Sequence, residues 1–308
     1  MSAAASARRA LTAVVVVGIL LATITVALTR ATSAEAQTRV ERGVAWRRVG
    51  GMTLRLDAFL PAASIAVPRP AVLLLHGGGW AGGSRSEMRE TGRRLADAGY
   101  AAFSIDYRLA PKHPYPAAFD DARAAIAWLR APAQVARYDL DPTRIGALGS
   151  SAGGQLVGLL ATTGTGALDT GTRIRAAVSW SGPMLFWPLN RLEGGGLPSN
   201  TVAWWLDSVT TYLGCDRDDL GPECARVATE ASPMNHLDAR DTPMLLANGT
   251  REIVPSTEAI TMDRALGAAG VLHRLVLVDG RRHATLLRRD VWDDTLTFLE
   301  EELGPAPV

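Results

Sequence analysis

Short, largely apolar runs recur along this chain at residues 71–75, 101–105, 144–148, 176–180, 244–247 and 272–278. Runs of four to seven such residues, without strict alternation, suit strands buried on both faces. Between them, residues 84–98, 117–130, 154–163, 257–269 and 290–303 place apolar positions at helical spacing. Ahead of this series, residues 44–49 and 52–60 alternate, and Gly50-Gly51 supplies a hairpin turn. The proline-rich stretch 111–116 reads as a loop. Strands alternating with helices predict an α/β class protein: a mostly parallel sheet with helices on both faces. The segment 183–233 breaks the rhythm. It is rich in Gly, Asn and Trp, and it reads as an insertion over the C-terminal end of the sheet, where ligands of such sheets bind. A lid or substrate wall is expected there.

Composition narrows the picture. The chain has 308 residues, 47% of them hydrophobic, and a formal net charge of +1. That length supports one large α/β domain, expected over residues 37–308, and the mixed charge gives no reason to expect a nucleic-acid partner. Residues 1–36 are different in kind. Arg8-Arg9 precedes an uncharged, mostly apolar run from 10 to 28, and Ala34-Glu35-Ala36 follows. That order is expected of an export signal cut after Ala36, with an uncleaved N-terminal membrane anchor as the alternative. Either places the body of the protein outside the cytoplasm. Cys215 and Cys224 are the only cysteines, and an oxidising compartment would let them pair. Only Asp216, Asp218, Asp219 and Glu223 lie near them, with no histidine, so a disulfide is expected rather than a metal site.

The candidate chemistry begins at Gly149-Ser150-Ser151-Ala152-Gly153, a G-x-S-x-G between a predicted strand and a predicted helix. A serine there sits on a tight bend with its hydroxyl exposed above the sheet. Only Ser151 has a glycine two residues away on each side, so Ser151 is the nucleophile candidate. His76-Gly77-Gly78-Gly79-Trp80 follows the run at 71–75. A glycine turn can direct backbone N–H groups at a developing oxyanion while leaving room for substrate.

Together with residues 106–111 (DYRLAP) and 113–118 (HPYPAA), these motifs resemble the α/β-hydrolase fold. More narrowly, they are similar to the hormone-sensitive-lipase-like esterases and their bacterial carboxylesterase relatives. The resemblance runs from about Leu54 to the C-terminus and implies an oxyanion hole of Gly78, Gly79 and Ala152. It also implies the chain order serine, acid, histidine, which removes His76 and His113 as general base. His283, in a loop just past the last predicted strand, fits the family's Gly-x-x-His. His236 lies in the insertion and His273 at the wrong end of that strand. The family's acid segment, Gly-Thr-x-Asp-x-x-Val-Pro, is matched by Gly249-Thr250-Arg251-Glu252-Ile253-Val254-Pro255, one residue shorter and with glutamate as the acid. Glu252 is the acid candidate, with Glu258 and Asp241 as the other carboxylates available.

The expected protein is an exported serine hydrolase that cleaves small to medium acyl esters through Ser151, His283 and Glu252, without metal or organic cofactor. Trp80, Trp187, Trp204 and Trp205 are candidates for the substrate pocket. An amidase, arylformamidase-like enzyme or peptidase would use the same machinery, and a binding protein on an inactive hydrolase scaffold is the remaining alternative.

Overall fold

Each apolar run becomes a strand of one eight-stranded sheet. The computed structural model describes residues 38–62, 68–188, 199–218 and 220–305; the expected leader at 1–36 lies outside these. The strands are β1 (Arg39–Val49), β2 (Met52–Leu60), β3 (Arg69–Leu75), β4 (Ala101–Ile105), β5 (Leu140–Ser150), β6 (Ala176–Trp180), β7 (Met244–Gly249) and β8 (His273–Val278). Their order is β1-β2-β4-β3-β5-β6-β7-β8. The opening hairpin β1–β2 is antiparallel, and β2 also runs antiparallel to β4. From β4 across to β8 every pairing is parallel. The α/β class read from the pattern is the α/β-hydrolase architecture.

Why the central strands carry uninterrupted apolar runs is visible in β3. Ala71, Leu73 and Leu75 join one core with Phe103, Ile105 and Ala147, whereas Val72 and Leu74 join another with Leu148, Val178 and Phe298. Successive side chains point to opposite faces, so both parities must be apolar when helices cover both faces. In chain order the helices are α1 (Arg89–Asp97), α2 (Ala117–Arg130), α3 (Pro132–Tyr138), α4 (Ala152–Thr162), α5 (Ser199–Leu213), α6 (Pro222–Glu230), α7 (Ser256–Ala269) and α8 (Arg288–Leu303).

Three differences from the sequence expectation have local causes. The helix expected at 84–98 opens as a 3-10 turn, Arg85–Met88, where Ser84 and Glu87 form a capping box. Helix α3 was not anticipated; Pro132 opens it, and Asp139 ends it in the left-handed region at φ 52°. Within 183–233, read as an insertion without elements of its own assigned, the structure has two helices, α5 and α6. A disulfide joins Cys215, just past α5, to Cys224 in α6, with their Cα atoms 5.6 Å apart. Among the described residues no helix is long and apolar enough to cross a membrane, and no group of His, Cys, Asp and Glu could hold a metal ion.

Candidate active site

β5 ends at Ser150 and α4 begins at Ala152, leaving Ser151 alone to reverse the chain. It does so at φ 53° and ψ −121°, conformational space that a side chain normally avoids. The strain falls on the serine itself, since neither Gly149 nor Gly153 has a positive φ. The two glycines instead permit close approach. A Cβ at Gly149 would lie 2.1 Å from the Gly153 carbonyl oxygen, and one at Gly153 would lie 2.1 Å from that of Leu75. The turn is pinned by the Ser151 N–H, which donates to the Trp180 carbonyl at 2.8 Å. The neighbouring Ser150 hydroxyl faces the Met88 sulfur at 3.6 Å in the interior, so only Ser151 presents its Oγ to the other candidate groups.

The ends of β7 and β8 deliver those groups. Ser151 Oγ lies 2.9 Å from His283 Nε2, and His283 Nδ1 is in direct hydrogen-bond contact with Glu252 Oε2. A carboxylate can only accept, so Nδ1 carries the imidazole proton and Nε2 is left with a lone pair for the serine hydroxyl. Glu252 is fixed through its other oxygen. Oε1 accepts the Gly249 N–H at 2.7 Å and the Ser181 hydroxyl at 2.7 Å. The Ser181 oxygen in turn accepts the Ala284 N–H at 2.9 Å. Ser181 was not foreseen. Its only sequence signal is a serine directly after the strand run 176–180, at the same end of the sheet as Ser151.

The other candidate acids and bases have separate partners. Glu258 accepts the N–H groups of Met184 and Leu185, at 2.9 and 3.1 Å. Asp241 accepts the Asp238 N–H at 2.8 Å. His236 Nε2 meets the Glu230 carbonyl at 2.8 Å, and His273 Nδ1 the Val271 carbonyl at 2.8 Å.

The glycine turn after β3 faces Ser151. Gly78 and Gly79 have φ values of 112° and 58°, and both line the same cleft as Ser151 and His283. Ala152 is the first residue of α4, so its N–H has no partner within that helix. His76 braces the turn: its Nδ1–H donates to the Gly77 carbonyl at 2.7 Å, and its ring stacks on Tyr107 at 4.2 Å. Burial pushes the His76 pKa down and keeps the ring neutral, against the Gly77 hydrogen bond, which raises it. Asp121 takes Arg108 Nε at 2.9 Å and Arg47 Nη1 at 2.6 Å, and none of the three lines the cleft.

The cleft is about 670 Å³ in volume. One wall comes from α5, through Trp204, Asp207, Ser208 and Thr211, a spacing that places all four on one helix face. Ile253 and Leu286 line it from the loops after β7 and β8. Of the four tryptophans expected at the substrate pocket, only Trp204 lines it. Trp205 is one residue out of phase; it is buried and packs on Phe186 at 6.2 Å. Trp80 is also buried, stacked on Tyr212 at 4.4 Å with its Nε1–H on Gln155 at 2.9 Å. Trp187 is half-buried against the main core. For these three, aromatic burial outweighed a place in the cleft. Helical periodicity in 199–213 was the signal that could have separated Trp204 from Trp205.

Known proteins resemble this chain at the level of fold and family. The BD-FAE family model matches residues 56–266. The chain belongs to the BD-FAE family. Among solved structures, this family member is similar to the esterase Est2 of the Planctomycetes species Thermogutta terrifontis with butyrate bound. The TM-score is 0.69 at 25% identity, over 89% of this chain and 98% of that one. Carboxylesterase NlhH of Mycobacterium tuberculosis is 43% identical over 93 residues, 30% of this chain and 28% of its own length. Esterase LipC of the same organism is 29% identical over 235 residues, 70% of this chain and 55% of LipC. Arylacetamide deacetylase of Bos taurus is 38% identical over 109 residues, 33% of this chain and 27% of that protein. The chain thus spans less than two-thirds of each of these curated relatives. The α/β-hydrolase resemblance read from the motifs is borne out at the level of fold and family.

Proposed function

We propose that this protein is a serine carboxylic ester hydrolase acting on small to medium acyl esters. The Ser151–His283 hydrogen bond of 2.9 Å, at an open cleft beside a glycine turn, carries this reading. Ser151 Oγ attacks the ester carbonyl while His283 Nε2 accepts its proton, and Glu252 stabilises the imidazolium that forms. The N–H groups of Gly78, Gly79 and Ala152 receive the oxyanion. His283 then protonates the leaving alcohol, and water repeats the sequence on the acyl-enzyme to release the acid. The esterase names of the relatives support ester chemistry. The size range is read from the resemblance of the motifs to the hormone-sensitive-lipase-like esterases, and a cleft of about 670 Å³ is compatible with it.

The test is hydrolysis of p-nitrophenyl esters of graded chain length by protein lacking residues 1–36. Activity that peaks at short chains and disappears in Ser151→Ala is expected. A folded protein without ester turnover would move the reading to amides. The similarity to an arylacetamide deacetylase favours amides as the second reading, separable with matched ester and amide substrates. Export belongs to the same proposal, supported by the order of charge and apolarity in residues 1–36 and by the Cys215–Cys224 disulfide. Residues 183–233 are read as the substrate wall, on the strength of the α5 side chains in the cleft.

A further inference from the structure

We infer that Ser181 is a positioning residue that fixes both Glu252 and His283 for proton transfer, an inference that rests on the hydrolase reading above. Ser181 is the first residue past β6 and is fully buried. Its N–H donates to the Ala247 carbonyl of β7 at 2.7 Å, while the residue before it accepts the Ser151 N–H. The end of β6 is therefore tied on one side to the nucleophile turn and on the other to the strand that leads to the acid.

The hydroxyl has its two roles dictated by its partners. The Ala284 N–H can only donate and the Glu252 carboxylate can only accept, so Ser181 Oγ accepts from the first at 2.9 Å and donates to the second at 2.7 Å. One oxygen thus couples the carboxylate to the backbone of the residue that follows the histidine. The acid is a glutamate, whose side chain has one more rotatable bond than an aspartate and loses more freedom when held. Two donors on Oε1, from Gly249 and Ser181, stop its rotation and leave Oε2 to His283 Nδ1. Glu252 has no equivalent brace in its own loop beyond the Gly249 N–H, among the described residues.

Backbone conformation points the same way. Ser181 holds φ 55° and Ala284 also holds φ 55°, both in the left-handed region where glycine is at ease. A glycine at 181 would relieve that strain, but it would carry no hydroxyl. Strain retained at a buried polar residue beside reacting groups is the pattern of a functional constraint.

The experiment measures kcat and KM for p-nitrophenyl acetate in the full chain carrying Ser181→Gly, Ser181→Ala, Glu252→Gln and Ser181→Gly/Glu252→Gln, with Tm for each. Loss of a hydrogen bond to a carboxylate predicts a fall in kcat of about 10- to 100-fold in both Ser181 variants, with KM within about twofold. Ser181→Gly is expected to melt no lower than Ser181→Ala, because glycine accepts the positive φ. In the Glu252→Gln background, removing the hydroxyl is expected to change kcat by less than about threefold, since residues acting as a unit are non-additive. Unchanged kcat in Ser181→Gly, a rise confined to KM, or an equal loss in both backgrounds would overturn the inference. So would a Ser181→Gly protein that fails to fold, which would assign the serine to the scaffold. If the wild type turns over no ester, the hydrolase reading fails by itself. The same cycle is then scored from the rate at which a fluorophosphonate probe labels Ser151.

Discussion

The two sides of the cleft are held in place by different physics. On the side built from the ends of β5 to β8, every candidate group has directional partners. Ser151 is pinned to Trp180, Glu252 to Gly249 and Ser181, and the residue after His283 to Ser181. On the side built from α5, the helix is seated by aromatic packing of Trp205 and Tyr212 against Phe186 and Trp80, and the chain beyond it is tied down by the disulfide. Its cleft-facing residues are less constrained, with Trp204 41% exposed. Hydrogen bonds fix angles to within the tolerance a proton transfer needs, whereas apolar packing fixes a surface without fixing single atoms. Rate should therefore be set on the strand side and substrate preference on the helix side.

Glu252→Gln tests the strand side most severely. It preserves shape while removing the charge opposite His283, and kcat is expected to fall by about 10³-fold or more, with Tm little changed. A small loss in steady-state assays would mean that the acid's contacts are not what sets the rate. Next is the disulfide. Replacing Cys215 and Cys224 by serine releases a short loop and is expected to lower stability by about 2–3 kcal/mol, read as a fall in Tm of about 5–10 °C. Turnover of p-nitrophenyl acetate at 25 °C should change little. A large loss of kcat at that temperature would show that the α5 side also positions the reacting groups.

Trp204→Ala tests the helix side through the substrate. Loss of an exposed apolar contact of about 1 kcal/mol is expected to raise KM for longer acyl or bulky alcohol esters about fivefold. Acetate esters should be nearly unaffected in kcat/KM, and stability should change by less than about 0.5 kcal/mol. The smallest expected effect is on the pH slope of stability. Burial lowers the His76 pKa from its usual 6.5, so below that pH the unfolded chain takes up a proton that the fold resists. Stability then declines as pH falls from 6.5 towards the folded value. His76→Asn, read by denaturant melts between pH 7.5 and 5, should flatten that decline even though it loses the stacking on Tyr107.

The legible parts of this protein share a physical trait: they are local. Strands β4 and β6 fall on the residues expected of them, because a strand covered on both faces must be apolar at every position. Ser151 and the glycine run 77–79 were marked by the turns they require, and Gly78, Gly79, Glu252 and His283 were singled out by short segments similar to those of the hydrolases. What could not be read was relational. Ser181 carries no motif, and its role exists only because β6 lies between β5 and β7 in the sheet. The tryptophans show the same limit. Trp204 and Trp205 are equal in composition and adjacent in the chain, yet the helix phase sends one into the cleft and the other into the core.

The alternation of strands and helices, the serine at a strand-to-helix turn and the glycine turn after the first buried strand are local properties of the chain, because backbone geometry and burial restrict which residues those places accept. Tertiary structure alone decided that Ser151, His283, Glu252 and Ser181 meet. Their contacts span 31 to 132 residues of chain. Contacts of that separation are set by how strands order in the sheet and how far each loop reaches beyond it, and no local pattern encodes those distances.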